Sequence, residues 1–315
     1  MKKRIAFLLV LTTLVSLLAA CGSSDGANKK SQSANNNANN TDDGLVEVYL
    51  ISKIVNYGTS YVFAYDEKGN MTECPVVGGG DSKLEYDENH RIIKRSWYLD
   101  GELRKYAQYI YDEQGRLAKE ERYSQTGELG TTWEYVYNDQ GLLAEYNAVA
   151  TDGDVGMRRF YTYNEAGLLI EEKEEYYGDL NYRYTYTYDE QGNCTEFIFY
   201  SGSNEKKQHN LYTYDSDGKL LTEENTVSGG KSTLIYNSNG QLTEETYQGS
   251  ETRKYVCTYD ENGNLVKKDR SVNGEAQLPM EYQYIAVKLS REDAEIALKN
   301  MKKLLEEQGL APLQR

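Results

Sequence analysis

Two classes of side chain are dense enough in this 315-residue chain to build a site: the 30 tyrosines and the 50 carboxylates of aspartate and glutamate. Tyrosines at two-residue spacing, as in Tyr182-Arg183-Tyr184-Thr185-Tyr186-Thr187-Tyr188, fall on one side of an extended strand. Their flat faces could stack sugar rings, and neighbouring carboxylates could accept hydroxyl hydrogen bonds. One column of such rings, Tyr109, Tyr135, Tyr161, Tyr186 and Tyr212, is the expected exposed ligand-binding strip; the bland alternative is that these rings are core. Paired carboxylates could in principle run a glycosidase reaction. Here the acids follow the repeat described below, and a solvated acidic face accounts for them. Other chemistries lack their parts. Only His90 and His209 occur, without Cys-x-x-Cys, His-Glu-x-x-His, a nucleophile elbow or a Gly-rich phosphate loop. Asp215-Ser216-Asp217-Gly218 has the opening of a calcium loop without its ligand spacing, and turn chemistry explains it. The chain therefore reads as non-enzymatic, with no metal and no cofactor.

The element that must position the tyrosines is a tandem repeat: Tyr, Asp or Asn, two free residues, Gly, one free residue, an apolar residue. Its tyrosines are Tyr65, Tyr86, Tyr111, Tyr137, Tyr163, Tyr188, Tyr214, Tyr236 and Tyr259. The Gly is missing in one unit, where His90 stands. Asp or Asn first and Gly fourth is the pattern of a type I turn with a Gly bulge, which joins antiparallel strands. The Tyr and the residue six later, such as Leu117, Leu143, Leu169 or Cys194, should then pair across the hairpin. A second Gly-containing turn separates successive units. Nine units of two strands predict an all-β fold, an antiparallel β-hairpin repeat array forming an elongated, coiled or spiralling meander sheet. Drawn flat, it would run on the order of 85 Å; right-handed strand twist makes it coil.

The ends are of different character. Residues 1–20 show Lys2, Lys3 and Arg4, an apolar run and small residues, in the order of a secretory signal. Leu18-Ala19-Ala20-Cys21 resembles the lipobox of bacterial lipoproteins, which implies cleavage before Cys21 and lipid on its sulfur. Residues 21–44 are then a lipidated Cys21 and an Asn/Ser-rich tether with an r.m.s. reach of roughly 25 Å. Residues 45–289 are the array, with Leu45 to Ile51 as an extra strand guarding its edge. In 290–315 the apolar residues Ala294, Ala297, Leu298, Met301, Leu304 and Leu305 adopt helical spacing behind Ser290 as N-cap, which predicts an amphipathic helix packed on the last strands.

Charge excludes one class of partner. The formal net charge of −15 becomes about −18 once Lys2, Lys3 and Arg4 are removed, and such a surface repels phosphate backbones, so no nucleic acid is expected. Cys74, Cys194 and Cys257 are odd in number, and two of them replace apolar residues of the repeat, so no disulfide framework is expected.

The tandem Tyr-Asp-x-x-Gly-x-Leu, clearest at Tyr111–Leu117, Tyr214–Leu220 and Tyr259–Leu265, resembles the YD repeat of the Rhs-type and teneurin family. The resemblance covers about residues 61–285. It implies hairpins spiralling into a strip or shell used in extracellular recognition or toxin encapsulation. Most steps here are longer than the family's, the repeats are too few for a closed shell, and no toxin-sized domain follows. Together these features predict an extracytoplasmic protein held on the bacterial cell membrane by N-terminal lipid, on the outer membrane in a Gram-negative source. Its open Tyr-rich array would bind carbohydrate or cell-wall polymer; the alternative is a protein-interaction or structural spacer of the envelope.

Overall fold

The structure is a computed structural model that describes residues 39–40, 44–227 and 229–310. The signal segment, Cys21 and nearly all of the tether lie outside the described residues.

Each hairpin follows from turn chemistry. In the unit Tyr137–Leu143, Asn138 Oδ1 accepts from the backbone N–H of Gln140 at 3.0 Å and of Leu142 at 2.9 Å. Gly141 N donates to Asn138 O at 2.9 Å, and Gly141 sits at φ 78°, which a residue without Cβ adopts freely. Tyr137 then pairs with Leu143 across the hairpin, with Ala144 bulged out between it and the next pair, Val136 and Glu145. The same pairing recurs at Tyr111 with Leu117, Tyr163 with Leu169 and Tyr188 with Cys194.

A ladder of tyrosine hydroxyls, invisible in the repeat pattern, ties unit to unit. Each hydroxyl donates to the main-chain carbonyl of the preceding unit's apolar residue: Tyr111 to Ile92 O (2.8 Å), Tyr137 to Leu117 O (2.9 Å), Tyr163 to Leu143 O (2.8 Å), Tyr188 to Leu169 O (2.8 Å) and Tyr214 to Cys194 O (2.7 Å). The ring fills the small core and its hydroxyl caps the neighbour's carbonyl. This is why tyrosine, rather than phenylalanine, occupies the position.

The expected open array closes. The first long strand, Val46–Asn56, pairs antiparallel with the last, Glu275–Leu289, on one side and with Thr59–Val62 on the other, so the meander returns to its own beginning as a barrel. At the seam the two termini build a tenth unit between them. Tyr284 pairs with Ile51, Ser52 is bulged out, and Gln283 pairs with Lys53, which is the register of Tyr137 with Leu143, bulged Ala144, and Val136 with Glu145. The ladder also runs through it: Tyr284 donates to Leu265 O at 2.9 Å and Tyr65 donates to Ile51 O at 2.7 Å. Leu45–Ile51 thus does more than guard an edge; it removes the edge.

Helix α1 (Arg291–Glu307) starts at Ser290, whose Oγ accepts from Asp293 N at 3.1 Å. Its buried Ala294 and Ala297 meet Val46, Val48, Leu50 and Leu289, and Leu304 and Leu305 join Ile54, Phe63, Met71, Cys74 and Leu84. Its contacts run from the last strand to Arg95, which bonds Glu307 at 2.9 Å. That spans six neighbouring strands, about 24 Å of sheet, which the 17-residue helix, about 25 Å long, covers by lying across them. The face carrying the tyrosines holds the buried residues, whereas the alternate positions, among them Ile110, Val136, Ile235 and Val256, are exposed, so the tyrosine face is the inside of the barrel. His90 explains its own irregularity: in the turn position that favours Gly, at φ 60°, its buried ring bridges Asn70 Oδ1 and Asp293 Oδ1, each at 2.8 Å, and so pins the helix N-terminus. The outer wall carries ion pairs, including Lys83 with Glu73 (3.2 Å), Lys119 with Glu134 (3.1 Å) and Lys254 with Glu244 (2.8 Å).

Candidate binding face in the barrel interior

Period-two alternation sorts the inner face into layers, counted from the Tyr-Asp turns. The first is the Tyr–apolar pair. The second sets the predicted column against the residue three beyond the apolar one: Tyr109 faces Glu120, Tyr135 faces Tyr146, Tyr161 faces Glu172, Tyr186 faces Phe197 and Tyr212 faces Glu223. The third holds Trp97, Arg122, Trp133, Arg159, Glu174, Tyr184, Phe199, Asn225, Tyr247, Tyr255 and Arg270.

This placement corrects the expectation of an exposed strip. The five tyrosines share one layer, but it faces inward; Tyr186 and Tyr212 are only 7% and 8% exposed and belong to a core with Leu169 and Phe197, while Tyr109, Tyr135 and Tyr161 are half-buried. Burial pushes all of the Tyr109, Tyr135, Tyr161 and Tyr186 phenols well above the usual range. The solvated acidic face is corrected too. Glu120, Glu172 and Glu223, three beyond the apolar residue, and Glu174, five beyond it, are buried inside, because both positions return to the inner face.

Each buried carboxylate has a partner. Arg122 Nε donates to Glu120 at 2.6 Å. Arg159 bridges Glu172 (3.3 Å) and Glu174 (2.7 Å), and Glu174 also accepts from Asn181 and Tyr182 at 2.6 and 2.8 Å. Asn210 donates to Glu223 at 2.9 Å, and Lys268 to Glu245 at 2.7 Å. Burial raises the Glu172 pKa, with Arg159 opposing and Glu174 reinforcing the rise. Cations lie over rings throughout the third layer: Arg122 over Trp133 (4.7 Å), Arg159 over Tyr146 and Tyr182 (5.7 and 5.6 Å), Lys268 over Tyr255 (4.4 Å). Three polar atoms of this layer, Trp133 Nε1, Asn225 Oδ1 and Arg270 Nε, are buried without a hydrogen-bond partner among the described residues. Half-exposed rings, paired charges and unmatched polar atoms suit a polar ligand with flat faces.

The sequence reading missed the charged column because its members, from Arg95 and Glu120 to Phe197 and Lys268, share no residue type. The signal was positional: the residue three beyond each repeat's apolar residue. Among the described residues no group of His, Cys, Asp and Glu is arranged to hold a metal ion, and Cys74, Cys194 and Cys257 are free thiols.

Comparison with known proteins gives likeness only in solved structures. No family model matches the chain, and no curated protein does. A Tc holotoxin pore of Photorhabdus luminescens is similar at 16% identity and TM-score 0.40, over 72% of this chain and 14% of that one. A TcdB2–TccC3–Cdc42 complex is similar at 14% identity and TM-score 0.33, over 72% and 15%. A porin-like protein from Bacteroides uniformis is similar at 14% identity and TM-score 0.33, over 76% and 95%. The chain spans about a seventh of the length of the toxin chains it matches. At these scores the likenesses carry no activity, ligand or partner to this chain.

Proposed function

We propose that the protein is a non-catalytic binding module, held outside the cell by lipid on Cys21, whose concave face takes an extracellular carbohydrate or cell-wall polymer. The observation that carries this reading is the third inner layer, where half-exposed aromatic rings alternate with arginines and with buried polar atoms that have no protein partner. A layer serving only as core would be dry and apolar, as the Leu304, Leu305 and Ile54 cluster is. The predicted column supplies less of the ligand surface than expected, since Tyr186 and Tyr212 are packed away.

The test is retention of the fragment 44–315, which contains every strand of the closed ring, on purified wall material and insoluble polysaccharides beside a blank resin. Retention that soluble glycan competes away supports the reading. Flow-through on every matrix refutes it and leaves the spacer role, for which crosslinking in cells would identify the neighbour. Labelling of the intact protein with a fatty-acid analogue, and its loss in Cys21→Ala, tests the anchor.

A further inference from the structure

The closed ring keeps an unpaired strand edge. Among the described residues, Thr59–Val62 pairs with Val46–Asn56 on one flank and with no strand on the other, whereas its neighbours Val46–Asn56 and Met71–Pro75 have a strand on both. Asn56 pairs with Thr59 around the two-residue turn Tyr57-Gly58, so Thr59 and Tyr61 direct their N–H and C=O groups at Val46–Asn56. Phe63 N, donating to Ser52 O at 3.0 Å, keeps the same phase. Ser60 and Val62 therefore direct theirs the other way in the plane of the sheet, and among the described residues neither finds a main-chain partner there.

The edge is open because the next strand leaves it. The register of Ala64 with Glu73, continued, would set Val62 against Pro75 and Ser60 against Val77. Pro75 has no N–H to offer the Val62 carbonyl. Beyond it the chain turns away: Val76 N donates to Gly80 O at 3.0 Å, and Val77 N to Gln308 Oε1 at 3.3 Å. The wall forks at this point. Phe63, Cys74 and Leu310 close its base at 4%, 0% and 1% exposure, while Val62 and Val77, one on each arm, stand 62% and 47% exposed. Main-chain groups on so exposed a segment are held by water, which another main chain can replace.

Four free main-chain groups along about 13 Å of edge match an added extended strand. A second copy of this chain could make the same bonds, but a four-residue edge supplies far less than the ~1,200 Å² of a specific protein pair, and two bodies each of net charge −15 repel. A short peptide needs no larger footprint, and the same charge attracts one that carries Lys or Arg. We propose that Thr59–Val62 is a strand-addition site for an extended, basic segment of another protein, bonded to Ser60 and Val62 and setting a β-branched side chain beside Val62. The site is separate from the barrel interior and independent of the carbohydrate reading.

The probe is a phage-displayed library of random dodecapeptides, selected on the full protein and counter-selected on Val62→Pro. Proline at 62 removes the N–H that points away from Val46–Asn56 and leaves the bonds to that strand in place, so the thermal midpoint should stay within about 2 °C of the parent. The expected peptides alternate β-branched residues, carry Lys or Arg, and bind Val62→Pro at least about tenfold more weakly than the parent. N-methylation of one alternate set of their residues should abolish binding while the other set tolerates it, a pattern that does not depend on how Val62→Pro folds. In hydrogen exchange of the free protein the Ser60 and Val62 amides should exchange fast and those of Tyr61 and Phe63 slowly; bound peptide should slow the first pair. Slow exchange of Ser60 and Val62 in dilute free protein overturns the proposal, as does a selection yielding no peptide that tells the parent from Val62→Pro, or equal effects of the two methylation sets. Protection that grows with protein concentration alongside a doubled mass assigns the edge to a second copy and overturns the peptide reading.

Discussion

The reach of the tyrosine ladder to the first strand can be tested with a single hydroxyl. Tyr65→Phe deletes the donor that meets Ile51 O at 2.7 Å on the first long strand, and Tyr163→Phe deletes its counterpart to Leu143 O at 2.8 Å in the middle of the array. A hydrogen bond of this kind contributes about 0.5–1.5 kcal/mol net, and a buried carbonyl left without its donor raises the cost to about 1–3 kcal/mol. Ile51 is 1% exposed, so Tyr65→Phe belongs at the upper end. Tyr163→Phe belongs near 1 kcal/mol by the same principle. For a domain of this size each kcal/mol moves the thermal midpoint by about 2–4 °C, which predicts a loss of about 2–4 °C for Tyr163→Phe and about 6–12 °C for Tyr65→Phe. Thermal unfolding followed by near-ultraviolet circular dichroism, with urea titration to confirm an unchanged m-value, measures both. The reasoning fails if Tyr163→Phe shows its loss and Tyr65→Phe shows none, because the ladder would then not reach the first long strand in solution.

Other perturbations have defined outcomes. The Asn193 side-chain amide and the N–H groups of Asn193, Gln191 and Gly192 hold Asp189 below its ordinary value of 3.8. Its contribution is therefore present above about pH 4 and lost as the pH falls through the depressed value; Asp189→Asn should flatten the acid limb of a stability-versus-pH curve. Buried tyrosines behave oppositely, with folded values above the unfolded 10.0, so their stabilisation is intact below pH 10 and vanishes as the pH rises through the folded values. Ultraviolet titration should show most tyrosines un-ionised at pH 11, followed by a cooperative step that coincides with unfolding. His90→Gly relieves a left-handed backbone but removes the bridge to Asp293; hydrogen exchange should rise in the first turn of α1 and stay unchanged in the strands. Gly202→Ala places a Cβ 2.2 Å from Leu180 O and should cost about 1–3 kcal/mol in urea unfolding, a backbone clash that no rotamer relieves.

The hairpins were legible because Asp or Asn and Gly fix a turn locally and the Tyr–Leu spacing fixes its register. The helix was legible for the same reason, its cap and periodicity being contiguous. The tenth unit was not, since its tyrosine, Tyr284, and its apolar partner, Ile51, stand at opposite ends of the chain with no turn between them. Closure in turn decided the site. In an open strip the Tyr109-to-Tyr212 column could face solvent, whereas a curled sheet makes that face concave and crowds its rings together. The buried acids were misread because Glu120 and Glu172 look like any surface glutamate until the period is counted from Leu117 and Leu169.

The composite unit also settles how this molecule bears load. Any pull arriving through the residues before Val46 acts along the axis of the strand Val46–Asn56, which is bonded on one flank to Glu275–Leu289 and, over its second half, on the other to Thr59–Val62. Antiparallel bonds lie perpendicular to that axis, so they are sheared together rather than unzipped in turn. A pull through a peripheral hairpin would open bonds one after another at low force. A barrel pulled by its seam strand yields only when the whole row gives way.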